Sequence, residues 1–326
     1  MPQDIDISVI IPVYNAKAFL TRAVDSALAQ NEVREIIIVD DASSDGSLPL
    51  AEKLVSANNG RIRLLRHADG GNHGAGASRN LGIEKASCDW IAFLDADDYY
   101  LPNRFSKDTD VLSKDPSLDG AYDALGLDLD NDTEGWWIKA GNYSGLVTLR
   151  KRLSPEDLFA HMAPVGIDGS FSTDSVLVHK RIFKKTGCAF GTSKFGEDTL
   201  LWMQMAACGR LAPASIDKPV AMRGVHGGNS IRGNTDHRKT LSSVFSSFRA
   251  WQKFGELSAK DSRAFEMAGI HLASDWREMS RAFRASRGLF SVAAWRQFLR
   301  WFFVRQFPED PVLPGIMPKL RRRIQN

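Results

Sequence analysis

The stretch Trp90-Ile91-Ala92-Phe93-Leu94-Asp95-Ala96-Asp97-Asp98 decides the fold, because an apolar run stops abruptly in three carboxylates. Ile91 and Phe93 suit a strand buried in a parallel sheet, and the ligands of such sheets collect at the carboxyl ends of the strands. Asp95 and Asp97 stand two apart, so an extended chain would turn both side chains to one face, where they could share a hard cation such as Mg²⁺ or Mn²⁺. Taken alone, the stretch is better read as a turn whose acids cap the next helix.

Working outward, Ile7-Ser8-Val9-Ile10-Ile11-Pro12-Val13-Tyr14-Asn15 is a second apolar run ending in polar groups, followed by a helical pattern through Leu20, Val24, Ala27 and Leu28. Glu35-Ile36-Ile37-Ile38-Val39-Asp40-Asp41 is a third, and Ala42 to Ser47 supplies turn and capping chemistry before the helix from Leu48 to Val55. Arg61 to Arg66 reads as another strand. It leads through the glycine-rich segment Gly70 to Gly76 into a helix expected from about Ala77 to Ala86. This βα alternation predicts an α/β domain with a mostly parallel, twisted central sheet flanked by helices, and strand ends carrying Asn15, Asp41 and Asp97 toward one edge.

Four segments in order, Ser8 to Asn15, Ile38 to Ser47, Gly76 to Gly82 and Ile91 to Asp98, resemble the family 2 inverting glycosyltransferases of the GT-A fold. The resemblance is good to about Met205 and fades beyond His226. It implies Pro12, Tyr14, Asn15, Asp41, Arg79 and Asp95 as nucleotide contacts, with Tyr14 as a stacking surface and Asp41 accepting the imide N–H of a uracil. It implies Asp97 as the direct ligand of a divalent metal, Mn²⁺ or Mg²⁺, with Asp95 touching ribose or metal-bound water. Asp98 is left between that site and a cap on a helix beginning near Pro102.

Phe195-Gly196-Glu197-Asp198-Thr199-Leu200-Leu201-Trp202 opens a helix with Leu201, Met205 and Cys208 on one face, to be ended by Gly209. Two acids at a helix N-terminus are explained by the helix dipole alone. The resemblance adds that the second acid of the pair, Asp198, is the general base, and it makes Glu197 an acceptor-side candidate. Met222-Arg223-Gly224-Val225-His226-Gly227-Gly228-Asn229-Ser230-Ile231-Arg232 resembles a further family segment. Its glycines suggest a mobile loop, with His226 reaching metal or diphosphate and Arg223 or Arg232 reaching phosphate oxygens. Trp136 and Trp137 offer faces for a sugar ring or anchors for a loop.

Composition agrees without deciding anything. The chain's 326 residues, 43% of them hydrophobic, suffice for one large domain and an appendage, and a net charge of +3 does not call for nucleic acid. Cys88, Cys188 and Cys208 form neither a zinc pattern nor a disulfide framework. The acidic start and the absence of a long uncharged run predict a cytoplasmic protein, at the inner face of the membrane if its tail binds lipid. The expected division is a nucleotide-sugar half over 1–115, an acceptor half with the base over 116–239, and a helical extension over 240–326.

In that extension Gln297-Phe298-Leu299-Arg300-Trp301 matches literally a motif of processive polysaccharide synthases, but far from its usual place and without membrane helices. Its aromatics and arginines, followed by Lys319-Leu320-Arg321-Arg322-Arg323, suit either packing on the domain or peripheral contact with an anionic membrane. The expected reaction is metal-dependent, inverting transfer of one sugar from a nucleotide-diphosphate sugar, a UDP-sugar, to a hydroxyl of a glycan or lipid-linked oligosaccharide in surface polysaccharide synthesis. The alternatives are a noncatalytic nucleotide-sugar-binding or scaffold protein on the same fold, and a dinucleotide-binding dehydrogenase. Against the latter, Gly74-Ala75-Gly76 follows the third strand and not the first.

Overall fold

The computed structural model describes residues 5–58, 60–129, 145–187, 189–191, 196–227 and 237–272. Strands β1 (Ile7–Val13), β2 (Val33–Asp40), β3 (Ile62–Arg66) and β4 (Trp90–Phe93) alternate with helices α1 (Leu20–Leu28), α2 (Ser47–Ala57) and α3 (Gly74–Lys85). All seven residues of β1 are buried, as a strand covered on both faces requires. Helix α1 turns Leu20, Ala23, Val24 and Ala27 inward at the i, i+3, i+4, i+7 spacing of a one-sided helix.

The second half contributes β5 (Tyr99–Tyr100), α4 (Ser106–Lys114), β6 (Gly120–Tyr122), β7 (Ala124–Leu129), β8 (Leu146–Val147), α5 (Pro155–His161), β9 (Val176–His179) and α6 (Arg181–Thr186). It continues with α7 (Glu197–Cys208), β10 (Leu211–Pro213), β11 (Pro219–Val225), α8 (His237–Ala250) and α9 (Ala259–Leu272). The main sheet has the order β10-β6-β9-β4-β1-β2-β3. It is parallel except where β9 runs antiparallel to both β4 and β6. A second sheet, β5-β11-β7-β8, was not expected from the sequence. Its strands β5 and β8 have two residues each, too short for an alternating pattern to register.

Helix α4 starts at Ser106, so Asp98 does not cap a helix near Pro102. Helix α8 falls within the compact unit Met1–Asp261. There Phe248 stacks on Phe159 at 5.3 Å and Trp251 Nε1 donates to the Thr186 carbonyl at 2.9 Å. No helix among the described residues is long and apolar enough to cross a membrane. The Gln297 to Trp301 match and the basic aromatic tail lie outside the described residues.

Helix α3 crosses β1 at Gly82, where an added Cβ would collide with the side chain of Ile10, itself fully buried. Alanine favours a helix interior over glycine by about 1 kcal/mol. Gly82→Ala is nevertheless expected to lower the melting temperature by about 2–4 °C, because overpacking a closed core costs about 1–3 kcal/mol, which at mid-range exceeds the helix gain by about 1 kcal/mol. An unchanged or raised melting temperature in thermal denaturation would show that α3 does not sit this close to the sheet.

Candidate active site

The site lies at the carboxyl edge of the main sheet. Beyond β1, Tyr14 stands 57% exposed while Pro12 stays buried in the strand opposite Val39. Asn15 adopts a left-handed conformation with φ 52°. Its N–H donates to Ser43 Oγ at 3.1 Å, and its Oδ1 accepts from the N–H of Ser44 at 2.8 Å. The loops after β1 and β2 are thereby sewn together with the Tyr14 ring left exposed. Asp41 faces inward instead. It is 2% exposed, and its two oxygens accept from the N–H groups of His73 and Gly74 at 2.7 and 2.8 Å. Asp41 thus fastens the first turn of α3, which explains why that helix begins at Gly74 and not near Ala77.

Arg79, one turn further along α3, is 4% exposed. Its guanidinium bonds Asp95 at 2.5 Å, pairs with Glu197 at 3.5 Å and lies 5.1 Å from the centre of the Phe190 ring. Burial opposes its charge, and Asp95, Glu197 and Asp198 outweigh burial, so it stays protonated. The acids after β4 and those opening α7 therefore share one cation and one cleft.

Helix α7 runs from Glu197 to Cys208 with Gly209 behind it, as expected, but Trp202, Met203 and Gln204 are buried along with Leu201 and Met205. Trp202 sits among Phe93, Phe171 and Phe190, an aromatic cluster that seats the helix on the sheet. Glu197 and Asp198 are its first two residues and half-buried. Asp198 Oδ1 accepts from the Thr199 N–H at 2.6 Å and from Thr199 Oγ1 at 3.2 Å. Burial and the adjacent Asp198 push the Glu197 carboxyl up to about 7, against the pull of Arg79.

Residues 94–98 form a turn, in which the Asp98 N–H donates to the Asp95 carbonyl at 3.0 Å. The extended geometry expected for Asp95 and Asp97 does not occur, and the acids point to different neighbours. Asp97 Oδ2 lies 3.2 Å from His226 Nε2. Asp98 turns inside, 2% exposed, accepting from the Gly224 N–H at 2.9 Å with Arg223 Nε at 4.0 Å. Oxygens of Asp95, Asp98 and Asp174 fall within 4.8 Å of one another. Asp174 is fully buried and accepts from the Asp95 N–H at 2.7 Å.

This crowding has a cost. Burial, then the charge of Asp95, raises the Asp97 and Asp174 carboxyls, the latter to about 6; burial, then Asp174, raises Asp98 well above the ordinary range. Asp98 and Asp174 are both committed to backbone amides. Asp97 and His226, each only partly covered, have the separation of neighbouring ligands on one ion, about 3 Å when bonds of ~2.1 Å meet at a right angle. A carboxylate oxygen beside an imidazole nitrogen is a donor pair that fits a divalent metal.

Arg223 and Gly224 lie inside β11, not in a mobile loop. A Cβ on Gly224 would stand 2.5 Å from the Asp97 carbonyl oxygen, so the glycine serves close approach of strand and turn. Arg223 Nη2 donates to Ser172 Oγ at 2.7 Å, which ties it inward. Trp136, Trp137 and Arg232 lie outside the described residues. Asp174 escaped the sequence reading. It precedes a strand, whereas the acids after β2 and β4 follow one, and β9 runs antiparallel, so its amino end shares the edge where β1, β2 and β4 finish. The cue in the sequence was the apolar run Val176-Leu177-Val178 that begins two residues after it.

Residues 8–162 match the family described as Glycosyl transferase family 2. The succinoglycan biosynthesis protein ExoU of Rhizobium meliloti is 36% identical over 110 residues, 34% of this chain and 30% of that protein. The chain spans less than half the length of the curated relatives it matches. Among solved structures, S. aureus TarS 1–349 in complex with UDP-GlcNAc superposes with a TM-score of 0.61 at 18% identity, over 89% of this chain and 82% of that one. The mannosyltransferase PcManGT from Pyrobaculum calidifontis, in complex with GDP-Man and Mn²⁺, superposes with a TM-score of 0.57 at 16% identity, over 94% and 81%. At these identities the likeness is one of fold, and the fold is the GT-A type.

The raised Glu197 carboxyl gives a signed expectation. Its folded value of about 7 lies above the ordinary 4.5, so folding favours the protonated form. That stabilisation is complete below about pH 4.5 and is lost as the pH rises through about 7. Glu197→Gln, which cannot ionise, is therefore expected to gain melting temperature relative to the parent as the pH goes from 5 to 8. A pH-independent difference would show that Arg79 fully neutralises Glu197.

Proposed function

Because residues 8–162 match glycosyl transferase family 2, we propose that the chain is a member of it and transfers a single sugar from a nucleotide-diphosphate donor, a UDP-sugar, to a hydroxyl of a glycan or lipid-linked oligosaccharide. The transfer inverts the anomeric centre, depends on a divalent metal and serves surface polysaccharide synthesis. The observation that carries this reading is the Arg79 guanidinium bridging Asp95 and Glu197, because it brings the strand-end acids beside the acids of α7. The ligands of the structural neighbours, UDP-GlcNAc and GDP-Man with Mn²⁺, support a nucleotide sugar and a metal. The succinoglycan relative supports the pathway class.

In this reading Tyr14 stacks on the base, with Asn15 shaping the loop and Asp41 holding α3 in place. Asp95, oriented by Arg79, faces the donor. Asp97 and His226 would hold the metal, which when bound would supply Lewis-acid stabilisation of the charge on the departing diphosphate. Asp198 takes the proton of the acceptor hydroxyl as its oxygen bonds to the anomeric carbon. The bond from that carbon to the diphosphate oxygen breaks on the opposite face, so the configuration inverts and no covalent enzyme intermediate forms.

Thermal shift across a panel of nucleotide sugars, with and without Mn²⁺, tests the donor, since a ligand of the native state raises apparent stability. A UDP-sugar is expected to shift the transition more with metal present than without it. Asp198→Asn should still bind that donor while losing transfer by ~10²–10⁴-fold, the usual contribution of a positioned base. Near-normal transfer by the variant would move the base elsewhere. Asp97→Asn should weaken Mn²⁺-dependent binding of UDP in calorimetry, and unchanged affinity in a folded variant would contradict its assignment.

A further inference from the structure

We infer that helix α1 is a brace for the metal site, with Phe19 positioning His226 and Arg22 positioning Asp97; the inference rests on the reading of those two residues as metal ligands. Phe19 immediately precedes α1 and Arg22 follows three residues later, so both lie on one side of the helix. The Phe19 ring stacks on the imidazole of His226, with centroids 4.4 Å apart and planes at 21°. Arg22 Nη2 donates to the main-chain carbonyl of Asp97 at 3.1 Å. Its Nη1 pairs with Asp128 Oδ2 at 3.1 Å, and the guanidinium lies 4.3 Å from the centre of the Tyr99 ring.

Asp97 and His226 come from segments far apart in the chain, the turn after β4 and the residue after β11. Their 3.2 Å separation depends on two things: the direction of the imidazole plane and the placement of the Asp97 turn. Phe19 acts on the first and Arg22 on the second. The helix that carries them cannot yield, because Leu20, Ala23, Val24 and Ala27 on its other side are all fully buried. It is also bonded to the strand leaving the turn, where the Tyr100 N–H donates to Ser26 Oγ at 3.0 Å. Outer partners of this kind hold a ligand in its binding geometry before the ion arrives.

A structural role would look different. Arg22 and Asp128 are each 43% exposed, and a pair so placed adds little to stability. Loss of the guanidinium should therefore be felt at the ion and hardly at all in melting temperature.

The test is calorimetric titration of the full chain with Mn²⁺ in the presence of saturating UDP, for the parent, Phe19→Leu, Phe19→Tyr, Arg22→Gln and Arg22→Lys. Phe19→Leu keeps apolar bulk but loses the flat face, and Arg22→Gln loses the charge and the fork. Each is expected to weaken Mn²⁺ affinity about 10–100-fold, the usual effect of removing an outer partner, while Phe19→Tyr stays near the parent and Arg22→Lys recovers part of the loss. UDP affinity in EDTA should be the same for all five. Parent-like Mn²⁺ affinity in folded Phe19→Leu and Arg22→Gln overturns the brace and leaves the metal site standing. Equal losses of UDP affinity with and without metal assign both residues to general structure and also overturn it. A parent that binds no Mn²⁺ overturns the brace and the metal reading together.

Discussion

The rest of the site depends on one buried cation. A guanidinium that is 4% exposed is tolerable only if carboxylates meet it, and removing a partner from such a pair is far costlier than the pair is stabilising. Arg79 obtains one carboxylate from the turn after β4 and one from the start of α7. The helix that carries it is anchored on all sides. Asp41 fastens its first turn, Gly82 lets it sit against Ile10, and Asn80 exchanges two 2.9 Å hydrogen bonds with the backbone of Phe190. Gly76 allows the carbonyl of Gly191 to approach, which brings in the segment leading to α7. A short run from Gly76 to Gly82 thus sets the distance between the proposed donor and base sites.

Around that cation the fold gathers more negative charge than it neutralises. Asp95, Asp97, Asp98 and Asp174 are countered by Arg79 and Arg223, and three of the four acids have raised carboxyls as a result. The inner pair, Asp98 and Asp174, is committed to the amides of Gly224 and Asp95 and shapes the turn. The outer acid, Asp97, is left beside an imidazole. A divalent cation there would offset part of the crowded negative charge, which links the acid cluster to the proposed metal-assisted reaction.

The legible part of this arrangement is the part with local signals. Apolar runs ending in polar groups or acids marked β1, β2 and β4, and the apolar spacing with Gly209 marked α7 to its last residue. What escaped depends on contacts distant in sequence. Asp174 reaches the site because β9 reverses direction, and no periodicity announces a reversal. Gly224 reads as a hinge in sequence, yet serves a strand passing close to the Asp97 carbonyl. Asp41, which looks like a free acceptor at a strand end, is taken up by two amide groups from the loop before α3. The spacing of Asp95 and Asp97 suggested a shared face, but a turn hydrogen bond from Asp98 to Asp95 sends them apart.

The central claim is that Asp97 and His226, brought together by the turn after β4 and the end of β11, hold one metal ion. The most direct measurement is electron spin-echo modulation of Mn²⁺ bound to the chain with UDP. The account predicts ¹⁴N coupling from an imidazole directly on the ion, disappearing in His226→Ala while Mn²⁺ is still bound at raised concentration. Bound Mn²⁺ with no nitrogen coupling in the parent, or with coupling that survives His226→Ala, would contradict it.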